Sequence, residues 1–165
     1  MTEQDFSSGA AAAPRRRRPS RIAMTPGERD AFLAAVRVCR VATGGPRGPH
    51  VSPLWYVWDG TALWLYSLVD SKRWRDLADD PRVAVVVDDG HDYGELRGVE
   101  LRGTVERVGE VPRTGEPVPE LAVPERLFGE KYSGGELRLD GRHGWLRLVP
   151  AYAAGWDFRK TAGPR

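Results

Sequence analysis

Two aromatic-rich runs flank Asp59-Gly60, and this pairing constrains the fold more than any other feature of the chain. Asp-Gly is a strong two-residue hairpin signal because its turn needs positive φ, which these residues tolerate. His50 to Trp58 on one side and Thr61 to Ser67 on the other are dense in β-branched and aromatic residues, so the segment reads as an antiparallel hairpin. On its first strand Val51, Pro53, Trp55 and Val57 share one face, while Ser52, Leu54, Tyr56 and Trp58 share the other. Most of these aromatics are expected to pack a core. Pro53 is different: it donates no ladder hydrogen bond, and so marks an edge or interruption where a ligand could meet free backbone groups.

The rest of the chain is organised around this hairpin. Thr25, Pro26 and Glu28 form a capping-box helix start, followed by Phe32, Leu33 and Val36 on one apolar face. Val38 to Thr43 reads as a strand, and Gly44 to Pro49 is a turn cluster. Ser71 begins a short helix that must stop before Pro81. Arg82 to Val87 is a valine-rich buried strand, and Val99 to Val108 alternates as a long strand bent at Gly103. Pro112 to Pro119 is a loop, Pro124 to Tyr132 a helix with Leu127 and Phe128 inward, and His143 to Leu148 and Gly155 to Phe158 the last strands. Six to seven strands in antiparallel order, with short flanking helices, predict a mainly β (α+β) split barrel.

A chain of 165 residues is long enough for one domain with a true core. The expected organisation is an Ala/Arg/Pro-rich disordered tail over residues 1–24, a domain over 25–160 and a short tail over 161–165. The formal net charge is +2, but Arg15 to Arg18 and Arg21 against Glu3 and Asp5 give the tail +3, leaving about −1 for the remainder. The domain therefore offers no broad basic face for nucleic acid, and the arginine run is expected to be solvated. No apolar run approaches the roughly 18 residues that span a bilayer. The single Cys39 excludes an intrachain disulfide and suits a reducing cytoplasm.

Ser71, Lys72 and Arg73 combine a hydroxyl, two cations and the amides of a helix start, an arrangement that suits a phosphate; charged residues on a short surface helix look the same in sequence. His50, His91 and His143 lie far apart with no paired ligand, which predicts no metal site. No nucleophile elbow, P-loop or Gly-x-Gly-x-x-Gly turn occurs, which argues against a Rossmann nicotinamide site.

The order of these pieces resembles the flavin-binding split β-barrel oxidoreductases related to pyridoxamine 5′-phosphate oxidase, in particular their flavin/deazaflavin group. The residues that carry the resemblance are Arg40 to Thr43, His50 to Gly60, Leu63 to Ser67, Ser71 to Trp74, Asp79 to Val83, Leu96 to Gly103 and Trp156 to Lys160. It implies a homodimer with coenzyme F420, or alternatively FMN, at the subunit interface, and hydride transfer to a small conjugated or heteroaromatic acceptor. Val51, Ser52, Pro53, Leu54 and Trp55 would border the ring, and Ser67, Ser71, Lys72 and Arg73 would hold the phosphate. Trp145, Trp156, Arg159 and Lys160 would supply a further wall. The arginine-rich C-terminal signature for the vitamin B6 substrate is not recognisable, which argues against that reaction. The cofactor ring would carry the hydride, so no protein nucleophile is required; Tyr66, Tyr93 and His143 are the candidates to assist protonation. A non-catalytic flavin or deazaflavin carrier is the rival reading from another class.

Overall fold

The computed structural model describes residues 20–161, and the disorder expected of the first nineteen residues falls outside them. Seven strands, β1 (Val38–Thr43), β2 (His50–Trp58), β3 (Leu63–Leu68), β4 (Arg82–Asp89), β5 (Arg97–Val108), β6 (His143–Leu148) and β7 (Tyr152–Asp157), alternate with helices α1 (Pro26–Ala35), α2 (Lys72–Asp79) and α3 (Ala122–Tyr132). Every pairing is antiparallel. Strands β1, β2, β3, β6, β5 and β4 close into a barrel in that order, because β4 pairs with both β1 and β5, and β7 adds to β5.

The long β5 explains how seven strands fit a six-stranded circuit. One of its edges pairs with β4, while the other meets β7 over Arg97 to Arg102 and β6 over Val105 to Val108. Gly103, where a bend is expected, is the point at which the partner changes. A Cβ there would lie 3.0 Å from Leu148 Cδ1 and 3.2 Å from the Val149 carbonyl, so a side chain would crowd the junction.

The barrel interior is filled by Cys39, Val41, Leu63, Leu65, Val85, Leu101, Leu146 and Leu148. α1 closes one end: Phe32 and Leu33 join this core, and the Tyr56 hydroxyl donates to the Leu33 carbonyl at 2.8 Å. The capping box forms as expected, with Glu28 N donating to Thr25 Oγ1 and Thr25 N to Glu28 Oε2. α2 closes the other end through Trp74 and Leu77, with Trp74 seated on Gly144 and below Arg107. α3 lies outside the barrel wall and covers a second apolar cluster that includes Val57, Trp64, Phe128 and Trp145.

Several boundaries differ from expectation for identifiable reasons. The hairpin loop spans Asp59 to Ala62, not two residues, because Asp59 Oδ1 accepts from Thr61 N and Ala62 N and Oδ2 accepts from Trp64 Nε1 at 2.7 Å. Order begins before Thr25, since Asp157 N donates to the Ile22 carbonyl and Met24 N to the Gly155 carbonyl. α3 starts at Ala122; Pro124 is accommodated in the first turn, where helix N–H groups have no intrahelical acceptor. Strand β7 runs over Tyr152–Asp157, and Phe158 already belongs to a 3-10 turn.

Candidate functional site

Strand β2 belongs to two ladders. Its first part, His50 to Trp55, pairs with β1, and its last part, Tyr56 to Trp58, pairs with β3. Beyond Tyr56 the two hairpin strands part, leaving a split in the wall between β2 and the end of β3. Successive residues of a strand turn their backbone groups to opposite edges. On the β1 side the Tyr56 carbonyl accepts from the Tyr132 hydroxyl at 2.7 Å, and that hydroxyl also reaches the Arg37 carbonyl. The backbone groups of Trp55, Pro53 and Val51 therefore face the split. Pro53 costs no ladder bond there, which is the edge position its chemistry requires.

Ser52 and Leu54 turn toward the barrel, and Val51, Pro53 and Trp55 turn outward. Val51 is 61% exposed and Trp55 46%. The Trp55 indole is held by stacking on Tyr132, with centroids 4.6 Å apart and planes 10° from parallel. A cavity of about 450 Å³ opens against Pro53, Leu54, Trp55, Tyr66, Phe128 and His143. A second, of about 480 Å³, lies on the outer face between Val51, Ala42, Ala84, Val86 and Trp156. Trp156 reaches it because Gly98 leaves room for the indole to lie over the β5 backbone.

Across the split, Arg73 is 6% exposed. Its Nε and Nη2 donate to Ser67 Oγ at 3.3 and 3.1 Å, and its Nη1 donates to Ser52 Oγ. Among the described residues no carboxylate pairs with it. Burial lowers its pKa, and the neighbouring Cys39 is a neutral thiol, pushed up to about 12 by burial. A buried cation with only neutral partners is costly unless something anionic completes its shell.

Lys72 stands beside it, with Nζ 2.6 Å from Asp76 Oδ2. Asp76 is itself buried, accepts from Thr43 Oγ1 at 3.0 Å and lies 4.0 Å from His50 Nδ1, which has no hydrogen-bond partner. Asp76, Thr43 and His50 were not expected here from sequence. The one available signal was the Lys72–Asp76 spacing of four residues on a helix.

The structure thus brings Ser52, Ser67 and Arg73 together at one end of the split, with Lys72 next in the chain but turned to Asp76, and Pro53, Leu54 and Trp55 to one cavity. Ser71 is instead committed to capping α2, accepting from Trp74 N and donating to the Leu68 carbonyl. Trp145 is wholly buried, with Nε1 donating to Glu125 at 3.2 Å, so it packs the second cluster and presents no wall. Arg159 pairs with Asp157, and Lys160 ties the Ala23 carbonyl and Glu28 to the C-terminal end; neither is hydrogen-bonded to Arg73, Ser52 or Ser67. Of the three protonation candidates, Tyr66 and His143 line the cavity at the split and stack 4.7 Å apart, while Tyr93 is 74% exposed against Phe158. Burial holds the Tyr66 phenol at about 12, so it keeps its proton at neutral pH, and Asp140 holds the His143 ring through Nδ1 at 2.7 Å.

The family profile described as pyridoxamine 5′-phosphate oxidase matches residues 25–156. No curated protein matches the chain. A conserved hypothetical protein of Mycobacterium tuberculosis is similar in structure, at 30% identity over 90% of this chain and 94% of that one, with a TM-score of 0.74. A structure described as an F420 reductase is 25% identical over 75% of this chain and 94% of its own, with a TM-score of 0.56. A FAD-binding protein of Mesorhizobium loti shares the fold at 20% identity, covering 81% and 93%, with a TM-score of 0.62.

Proposed function

Because the chain belongs to the pyridoxamine 5′-phosphate oxidase family, we propose that it is an oxidoreductase using coenzyme F420 to reduce a small conjugated or heteroaromatic acceptor. The observation that carries this reading is Arg73, a buried cation whose only described partners are serine hydroxyls. That is the shell of a group awaiting a phosphate oxygen, at one end of a split whose other end is apolar and of ligand size. The likeness to an F420 reductase favours the deazaflavin over FMN.

When bound, the cofactor ring supplies the hydride. The chain's own residues hold and orient. Arg73 fixes the phosphate side, while Lys72, its neighbour on α2, stays paired with Asp76. The strand edge at Val51, Pro53 and Trp55 offers backbone groups to a flat ring, and Trp55, clamped by Tyr132, fixes the wall beside it. Tyr66 holds a proton on Oη beside the same cavity. The outer face that carries Val38, Val51 and Trp55 exposes apolar side chains, which supports a homodimer covering the cofactor. No helix among the described residues is long and apolar enough to cross a membrane, and a lone buried thiol suits the cytoplasm.

The test is titration of the purified protein with F420 and with FMN, followed by absorbance and tryptophan fluorescence. F420 is expected to bind at micromolar concentration and more tightly than FMN. Tighter FMN binding moves the assignment to a flavin enzyme, and no binding of either overturns the reading. Tight binding with no acceptor reduced across a panel of conjugated and heteroaromatic compounds would make the protein a carrier.

A further inference from the structure

The anion end of the split carries a carboxylate as well as two cations. Lys72 Nζ is 2.6 Å from Asp76, whose side chain is only 6% exposed and is anchored by Thr43. Arg73 and Asp76 are three residues apart on α2, and the β2 residues beside them are neighbours: His50, beside Asp76, and Ser52, on Arg73, alternate onto one face roughly 7 Å apart. Lys72, Arg73 and Asp76 lie within about one turn of α2 and together carry a single net positive charge. The Lys72 and Thr43 hydrogen bonds hold the Asp76 carboxyl below the usual range against burial, so it is ionised at neutral pH.

We propose that Asp76 is a specificity-determining residue, limiting the site to one net positive charge so that it takes a phosphodiester monoanion in preference to a terminal phosphate dianion. This rests on the cofactor reading above and deepens it by naming the phosphate chemistry. A second charge on the ligand would lie beside the Asp76 carboxylate with no cation to answer it, whereas a diester presents one charge to Arg73 and leaves the Lys72–Asp76 pair intact.

The test presents one ring in two forms. Whichever ring binds in the titration, FMN or the 5′-phosphate of the deazaflavin riboside, is compared with its own methyl phosphodiester at about pH 8, where the monoester carries two charges. Binding is read by fluorescence quenching. The wild-type protein is expected to bind the diester at least as tightly as the monoester. In Asp76→Asn, which keeps the shape and removes the charge, the ratio should move about tenfold toward the monoester. A wild-type preference of tenfold or more for the monoester overturns the proposal, as does a ratio unmoved in Asp76→Asn. If that variant fails to fold, the wild-type ratio decides alone. Coenzyme F420 against FAD separates two natural sources, a single diester and a diphosphate: tighter F420 supports the match, and FAD tighter by tenfold or more counts against it. Failure of the cofactor reading is distinguishable, because then neither ring binds, or binding is indifferent to Arg73→Met. If binding depends on Arg73 but the ratio does not depend on Asp76, only the specificity role falls.

Discussion

Arg73 and Arg113 are both buried, at 6% and 4% exposure, yet their surroundings are opposite. Arg113 donates through Nε to Glu125 at 2.6 Å and through Nη1 to Glu110 and to the Glu116 carbonyl, so two carboxylates answer one guanidinium. Glu125 also accepts from Trp145 Nε1, and Glu110 from the N–H groups of Thr114, Gly115 and Glu116. The result is a closed clasp between α3 and the loop that follows β5. The pKa of Arg113 is raised, with Glu125 as the main cause, whereas that of Arg73 is lowered by burial. A buried charge answered inside the fold is part of the scaffold; one left with hydroxyls still lacks a counter-charge.

The largest effect should come from opening the clasp. Arg113→Met leaves two partly buried carboxylates without their cation, and unfolding stability should fall by about 3 kcal/mol in urea titration. Arg73→Met should leave the same measurement nearly unmoved: it removes an unanswered buried charge, and stability should stay within about 1 kcal/mol of wild type. Its cost should appear in cofactor affinity, as a loss of about 2 kcal/mol, or roughly thirtyfold. If both variants lost stability equally and Arg73→Met bound cofactor normally, the distinction between the two arginines would collapse.

Acid sharpens the same contrast. Burial pushes the Glu110 carboxyl up, but the N–H groups of Glu110 itself, Thr114, Glu116 and Gly115 outweigh it and hold the folded pKa well below the usual value. A depressed folded pKa contributes stability that is complete above the unfolded pKa and is lost as pH falls toward the folded one. Wild-type stability should therefore decline below about pH 4, and Glu110→Gln should flatten that decline. Arg73, with no carboxylate partner, adds nothing to the acid slope; a variant lacking Arg73 but showing a flattened profile would contradict this.

How much of this was legible in sequence depended on the range of the interaction. The capping box at Thr25, the parity of β2 and the edge role of Pro53 follow from local chemistry and were readable. The split itself was not, because it arises where one strand exchanges β1 for β3 as partner, a property of closure rather than of any segment. The family resemblance placed Arg73 on the phosphate side, but its isolation was invisible, since it depends on Ser52 and Ser67 arriving from two other strands and on no acid arriving with them. Trp145 illustrates the reverse error. An aromatic near the chain end looks like a wall until α3 is laid over it, and Glu125, twenty residues earlier, takes its indole N–H.

The finest discrimination lies in the neutral partners of Arg73. Ser52→Ala removes the acceptor of Nη1 and leaves the guanidinium with Ser67 alone. One hydrogen bond to a charged group is lost from the cofactor-free protein, which should cost about 1.5 kcal/mol of unfolding stability. If the serine only holds the guanidinium ready, a bound phosphate can take the freed donor, so cofactor affinity should change by less than threefold and saturating cofactor should restore most of the stability. An affinity loss as large as that of Arg73→Met would mean that Ser52 touches the phosphate itself, and would move one ligand from the positioning group to the binding group.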